Sequence, residues 1–218
     1  MTKKNILLVG ASSGLGFDLL KNFINEGHKV FILTKNINRL KNNLKKNNIK
    51  KNFDFSSLDL SKIRNIKKTM PKVKKYFKNK IDTVVHTAGG GLGIKDIDAK
   101  YDDLIKVLNL NILGLIEINK LVIPLMKIKK KGVIIHLSSI ASFEAVGSLS
   151  YNISKAALNS YVRTMGRHLA SYNIVLTGIA PGGFIADDNA MQRLKNKNPK
   201  AYKNFIQNRI PRKKNGNN

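Results

Sequence analysis

The alternation of short apolar blocks with longer amphipathic stretches is the feature that most limits how this chain can fold. Apolar blocks fall at residues 6–9, 30–33, 53–58, 81–85, 133–137 and 174–179. Runs this short and rich in Val, Ile and Leu suit strands that are covered on both faces. Between the first two, Leu15, Leu19, Leu20, Phe23 and Ile24 share one side of a helix that Gly27 can end. Two longer helices are predicted over about 101–128 and 151–171. Six strands alternating with helices predict an α/β fold: one doubly wound parallel sheet with helices on both faces, built by a single domain over residues 1–218. Ligands of such a sheet bind outside the carboxyl ends of the strands, so the chemistry should follow directly after a strand.

Composition narrows the function classes. A chain of 218 residues with 42% hydrophobic content can bury a sizeable core. Its longest apolar runs, such as LVIPLM at 121–126, fall well short of the roughly 20 residues that cross a bilayer. Lys3 and Lys4 precede an apolar stretch too brief for a signal peptide, so the protein is expected in the cytoplasm and off the membrane. There is no Cys, and His28, His86, His136 and His168 have no ligand spacing, so no metal site is expected. The formal charge of +27 comes from Lys spread through the whole chain, as in KNNLKKNNIKKN and RLKNKNPKAYKN. With no Trp and few aromatic rings to stack bases, nucleic acid is not the expected partner. The charge should instead favour anionic ligands.

Two motifs carry chemistry. VGASSGLG follows the first block, with Gly10, Gly14 and Gly16 leading into a helix. Glycines permit a sharp turn and a close approach to a diphosphate, the helix N-terminus offers unpaired N–H groups, and Ser12 and Ser13 add hydroxyls. Further on, SLSYNISKAAL sets Tyr151 one helical turn from Lys155, so a phenol and an ammonium can converge on one ligand. Tyr76 and Lys80 share that spacing but sit in KKYFKNKID, which has the composition of a solvated basic surface.

Together these residues resemble the short-chain dehydrogenase/reductase family, and the resemblance covers the chain up to about Gly216. It implies a Rossmann-like sheet and a nicotinamide cofactor. The G-x-x-x-G-x-G turn, including Leu15, resembles the cofactor loop, and LDL at 58–60 the adenine pocket, with Asp59 as acceptor and Leu60 beside it. HTAGG places Ala88 and Gly89 in the loop after the fourth strand, where His86 and Thr87 depart from the family's N-N-A-G. Asn111 in NLNILG, the serine of HLSSIAS, and Tyr151 and Lys155 match the catalytic set. APGG, with Pro181 and Gly182, resembles the segment beside the nicotinamide. Ser138 and Ser139 both fit the serine; Ser139 is preferred, because a one-residue deletion in 140–150 is easier than a slip at a strand end, which would turn the side chain to the other face. Ala186 replaces a frequent Thr that touches the nicotinamide amide.

The implied function is transfer of a hydride between NADP(H) and a small carbonyl or alcohol substrate, with Tyr151 as general acid/base. Lys35 after the second strand favours NADP(H) by neutralising a 2′-phosphate, with NAD(H) as the weaker alternative. A charge on Lys155 about 5 Å away at an effective dielectric near 20 is worth roughly 3 kcal/mol and should lower the Tyr151 pKa. Lys155 would also hold the ribose hydroxyls, Ser139 the substrate oxygen, and Asn111 a water leading from Lys155 to solvent. Phe143, Phe184 and Met191 are candidates for an apolar substrate wall, and the Lys and Arg around them favour an anionic substrate. The resemblance further implies a homo-oligomer. Family members commonly run on past the point where this sequence stops, so a sixth strand at an open edge is expected, and a non-catalytic nucleotide-binding relative is the alternative reading.

Overall fold

The computed structural model describes residues 2–94, 97–185, 189–209 and 216–217. Six strands form one parallel sheet: β1 (Asn5–Val9), β2 (Lys29–Thr34), β3 (Phe53–Ser57), β4 (Thr83–His86), β5 (Gly132–Leu137) and β6 (Ile174–Ile179). Their order is β3-β2-β1-β4-β5-β6, so the winding reverses between β1 and β4. The crevice at that reversal is where a doubly wound sheet receives its ligand.

Successive side chains on β1 and β2 point to opposite faces, and each face builds its own core. Ile6, Leu8, Val30 and Ile32 pack against Phe17 and Leu20 of α1 (Gly14–Asn25) and Leu40 and Leu44 of α2 (Ile37–Lys46). Leu7, Val9, Phe31 and Leu33 pack on the other face. There they meet Ile66, Met70 and Val73 of α3 (Arg64–Tyr76), Leu115, Ile118 and Val122 of α5 (Gly114–Lys129), and Leu169 of α6 (Leu149–Ala170). This two-sided burial explains why the strands read as unbroken apolar runs rather than as alternating ones.

The helix predicted over 101–128 is divided. α4 (Tyr101–Leu108) passes into a π-helical turn at Asn109–Leu113 and then into α5. Tyr101–Lys129 is long and apolar enough by composition to cross a membrane, with a mean hydropathy of 1.4, but half of its most apolar window is buried inside the protein, as in a core helix. After β6, a two-residue strand β7 (Phe184–Ile185) pairs in parallel with β8 (Gly216–Asn217) in a separate small sheet, with α7 (Ala190–Lys197) and α8 (Pro199–Arg209) between them. Among the described residues β6 is a free edge of the main sheet, as expected.

Candidate active site

The glycine turn sits at the end of β1. Gly10 has φ +99°, and a Cβ there would lie 2.4 Å from the backbone nitrogen of Ala88, so no other residue fits. A Cβ on Gly16 would meet Thr87 Oγ1 at 2.6 Å and the Gly10 carbonyl at 2.7 Å. Ser13 is the N-cap of α1 but its side chain makes no capping bond, and the first turn, which contains Leu15, has no acidic residue. The early N–H groups of α1, from Gly14 to Gly16, therefore form a donor-rich, electropositive end free to meet an anion. Thr87, which departs from the family's Asn, fastens this corner: its hydroxyl donates to the Val9 carbonyl at 2.9 Å, and the backbone N–H groups of Thr87 and Ala88 donate to the same oxygen.

Beside the turn lies a cavity of about 490 Å³ lined by Ser12, Thr34, Lys35, Asn36, Ile37, Asn38 and Ser57. Lys35 is not a free cation at its rim, because its Nζ lies 2.9 Å from Asp59 Oδ2. The other oxygen of Asp59 accepts from the N–H and hydroxyl of Ser61. Partial burial pushes the Asp59 pKa up, but the bonds from Lys35 and Ser61 outweigh it and hold the carboxyl below its usual value. The two residues assigned by sequence to separate parts of a nucleotide are thus tied to each other. Leu60 is buried behind them.

The catalytic candidates converge on the far side of the crevice. Ser139 stands two residues past the end of β5, and its hydroxyl acts on the phenol of Tyr151, lowering that phenol's pKa. Ser139 Oγ accepts from the Ala141 N–H at 3.1 Å, which leaves its proton and one lone pair for a partner. Ser138 faces the other way and donates to Asn159 Oδ1 at 2.6 Å. Tyr151 and Lys155 lie on α6, with Lys155 Nζ 5.6 Å from the centre of the tyrosine ring. Lys155 is buried and spends one N–H on the Leu137 carbonyl at 2.8 Å. Burial lowers its pKa to about 8. Burial also raises the Tyr151 pKa, which the bond to Ser139 only partly offsets. That corrects the expectation of a tyrosine lowered by Lys155: withdrawal of the phenol from water dominates, so Tyr151 rests as an acid.

Asn111 belongs to the π-helical turn and is fully buried. Its amide donates to the carbonyls of Gly90 and Val107, both at 2.9 Å, and its Oδ1 accepts from the Gly90 N–H at 3.0 Å. The side chain thereby pins the 89–91 loop, which leaves one Oδ1 lone pair to offer to a water. A Cβ on Gly89 would lie 2.8 Å from Asn111 Oδ1 and 3.2 Å from Lys155 Nζ, so both groups border this loop.

Pro181 and Gly182 lie in the connection from β6 to β7. Ala186 is outside the described residues. Phe143 stands 77% exposed, while Phe184 and Met191 are half-buried on β7 and α7. The duplicate pair falls elsewhere: Tyr76 ends α3, its phenol pushed up to about 12 by burial and by Asp54, and Lys80 follows it on the way into β4, at the amino end of the sheet.

Two clusters were not foreseen. Asn119 of α5 joins His86 Nε2 at 2.8 Å to His136 Nε2 at 3.0 Å and also donates to the Tyr161 hydroxyl. The two imidazoles stack at 4.4 Å beneath the site. The second cluster is Asn159 with Ser138 and Ser142. The signal for the first was present in the two histidines but required knowing that β4 and β5 pair with His86 opposite His136.

Residues 4–198 match the model of the family described as short chain dehydrogenase. Over 183 residues the chain is 28% identical to an NADPH-dependent 1-acyldihydroxyacetone phosphate reductase of Schizosaccharomyces pombe, a match covering 83% of this chain and 60% of that protein. It is 27% identical to an uncharacterized oxidoreductase of Staphylococcus aureus, over 84% of this chain and 78% of the other. The solved structure described as ElxO with NADP bound superposes with a TM-score of 0.87 at 23% identity, covering 99% of this chain and 87% of that one.

Proposed function

The chain belongs to the short-chain dehydrogenase family, and on that premise we propose that it is an NADP(H)-dependent oxidoreductase that reduces a carbonyl group to an alcohol. The observation that carries this reading is the Tyr151 phenol, within the influence of Ser139 and neighboured by Lys155, at the carboxyl ends of the strands. The protein's own contours suit a dinucleotide: a glycine cradle that a single Cβ would block, an uncapped helix N-terminus, and a cavity carrying Lys35. Gly10, Ser12, Ser13, Gly14, Leu15 and Gly16 would receive the diphosphate and Lys35 a 2′-phosphate. Asp59 and Leu60 would flank the adenine, and Ala88, Gly89, Pro181 and Gly182 would line the path to the nicotinamide. NAD(H) is the weaker alternative.

When bound, the cofactor supplies the hydride. The protein's part is to bind and polarise the substrate oxygen and to deliver a proton to it. Ser139 donates its hydroxyl hydrogen to that oxygen, because a carbonyl oxygen can only accept. Tyr151, kept protonated by burial, donates the proton as negative charge develops there. Two N–H groups of Lys155 remain for ribose hydroxyls and, as a cation, it stabilises the phenolate left behind. Asn111 keeps the 89–91 loop against Lys155, and its remaining Oδ1 lone pair is where a water would return the proton from solvent.

The charge of +27 supports an anionic carbonyl substrate. The exposed Leu113, Leu149 and Ile153 on the 109–113 turn and α6 support pairing of two copies through these helices, and a cytoplasmic location completes the proposal. Tyr151→Phe tests the reading. It should bind NADPH as before and lose about 10²- to 10⁴-fold in carbonyl reduction, as removal of a general acid does. A variant that keeps most of its turnover would refute the assignment.

A further inference from the structure

Ser139 can act only if its hydroxyl is held toward Tyr151, and the means of holding it lie outside the catalytic set. The residue has extended backbone, as a continuation of β5, and caps the 3₁₀ turn Ile140–Ser142. That turn helps aim the hydroxyl, because the Ala141 N–H holds one of its two lone pairs. A single side chain grips the turn from both ends. Asn159 Oδ1 accepts from Ser138 Oγ at 2.6 Å, just before Ser139, and Asn159 Nδ2 donates to Ser142 Oγ at 2.7 Å, at the end of the turn. Ser142 Oγ in turn donates to the Ser139 carbonyl at 2.5 Å. Donors and acceptors match at every step, so the amide can adopt only one orientation.

We propose that Asn159 is a positioning residue that clamps the Ser139 turn to α6, the helix that also carries Tyr151 and Lys155. The proposal rests on the oxidoreductase reading above. Asn159 lies one helical turn beyond Lys155, so the serine and the tyrosine are referenced to the same rigid element rather than to a mobile loop. It touches neither the phenol nor the Ser139 hydroxyl and acts only through the turn. The chemical sense follows from proton direction. A fixed Ser139 donor stabilises the phenolate of Tyr151; a wandering one does not, and the phenol then becomes a weaker acid.

A double-mutant cycle on the full chain tests this. Asn159→Leu removes both hydrogen bonds at nearly constant volume, and Ser142→Ala breaks the bridge from the turn side without altering the helix. Titration of Tyr151 is read as the phenolate absorbance difference between each protein and the same protein carrying Tyr151→Phe, which needs no turnover. Each substitution should raise the Tyr151 midpoint, as Ser139→Ala should, and should add nothing in the Ser139→Ala background. The kcat for carbonyl reduction should fall on the order of tenfold, the worth of one hydrogen bond to a charged group, with the NADPH dissociation constant unchanged. An unmoved midpoint in both variants, or shifts that add to that of Ser139→Ala, would overturn the clamp. If the unsubstituted protein reduces no carbonyl compound, the oxidoreductase reading falls while the titration still decides the role of Asn159.

Discussion

Lys35 and Asp59 meet at 2.9 Å on the rim of the cavity that would take the adenosine end of the cofactor. Asp59 therefore competes with a 2′-phosphate for Lys35, the lysine that follows the second strand. Any contact of Asp59 with the adenine is common to NADPH and NADH and drops out of their ratio. Asp59→Asn should then raise the preference for NADPH over NADH a few-fold, by releasing Lys35 and removing a negative charge. Lys35→Ala should lower the preference on the order of tenfold, the worth of a charge-assisted phosphate bond. Dissociation constants for both coenzymes, measured at one salt concentration, check both signs; a lower ratio in Asp59→Asn would remove the competition. The choice between Ser138 and Ser139 belongs to this scale as well. Two neighbouring serines at a strand end must face opposite sides, and the bond of Ser138 to Asn159 leaves Ser139 to the phenol.

The π-helical turn between α4 and α5 carries Asn111, and its geometry depends on Gly114. A Cβ on Gly114 would stand 2.8 Å from the Asn109 carbonyl and 3.1 Å from the Leu60 carbonyl, two backbone atoms that cannot swing aside. Gly114→Ala should lower stability by about 1–3 kcal/mol, the usual cost of overpacking, and displace Asn111 from Gly90. Thermal unfolding checks this, and an unchanged midpoint would show that the turn relaxes freely. Nothing in NLNILG signals such a turn, since the apolar spacing of a continuous helix is kept. The six strands were legible because burial on both faces leaves an unbroken apolar run. Their ends were less so: Ile81 is buried yet precedes β4, and His86 ends β4 although it is polar. Periodicity reports burial rather than pairing. β7 and β8, two residues each and with Gly216–Asn217 as one partner, leave no periodic trace at all. The candidate catalytic residues were readable as a motif, whereas the His86–Asn119–His136 plug and the Asn159 bridge join residues from different elements and exist only once the sheet is assembled.

On the scale of the whole molecule, the buried histidine pair links stability to pH. Burial lowers the His86 pKa to about 4, and burial with the neighbouring His86 and Lys155 charges lowers that of His136 well below its usual value. Below about pH 6.5 the unfolded chain takes up protons that the folded one refuses. Stability should therefore be lost as pH falls from 6.5 toward 4, by about 3 kcal/mol for His86 alone, with His136 acting in the same sense. The depressed carboxyls of Asp59 and Asp82 give up their contribution only below that window. Urea unfolding at pH 7 and pH 4.5 checks the slope, and His86→Asn should flatten it; an equal slope in that variant would clear His86 of responsibility. The surface poses a separate problem. Among the described residues β6 borders the sheet with Val175 and Ile179 about half exposed, and an open margin of this kind invites strand-to-strand addition. The cationic coat that draws in anions also drives copies of the chain apart, out to about 8 Å in physiological salt and about 3 Å at 1 M. Keeping this protein dispersed is then a task shared between its fold and the ions around it, and concentrated brine withdraws the second guardian.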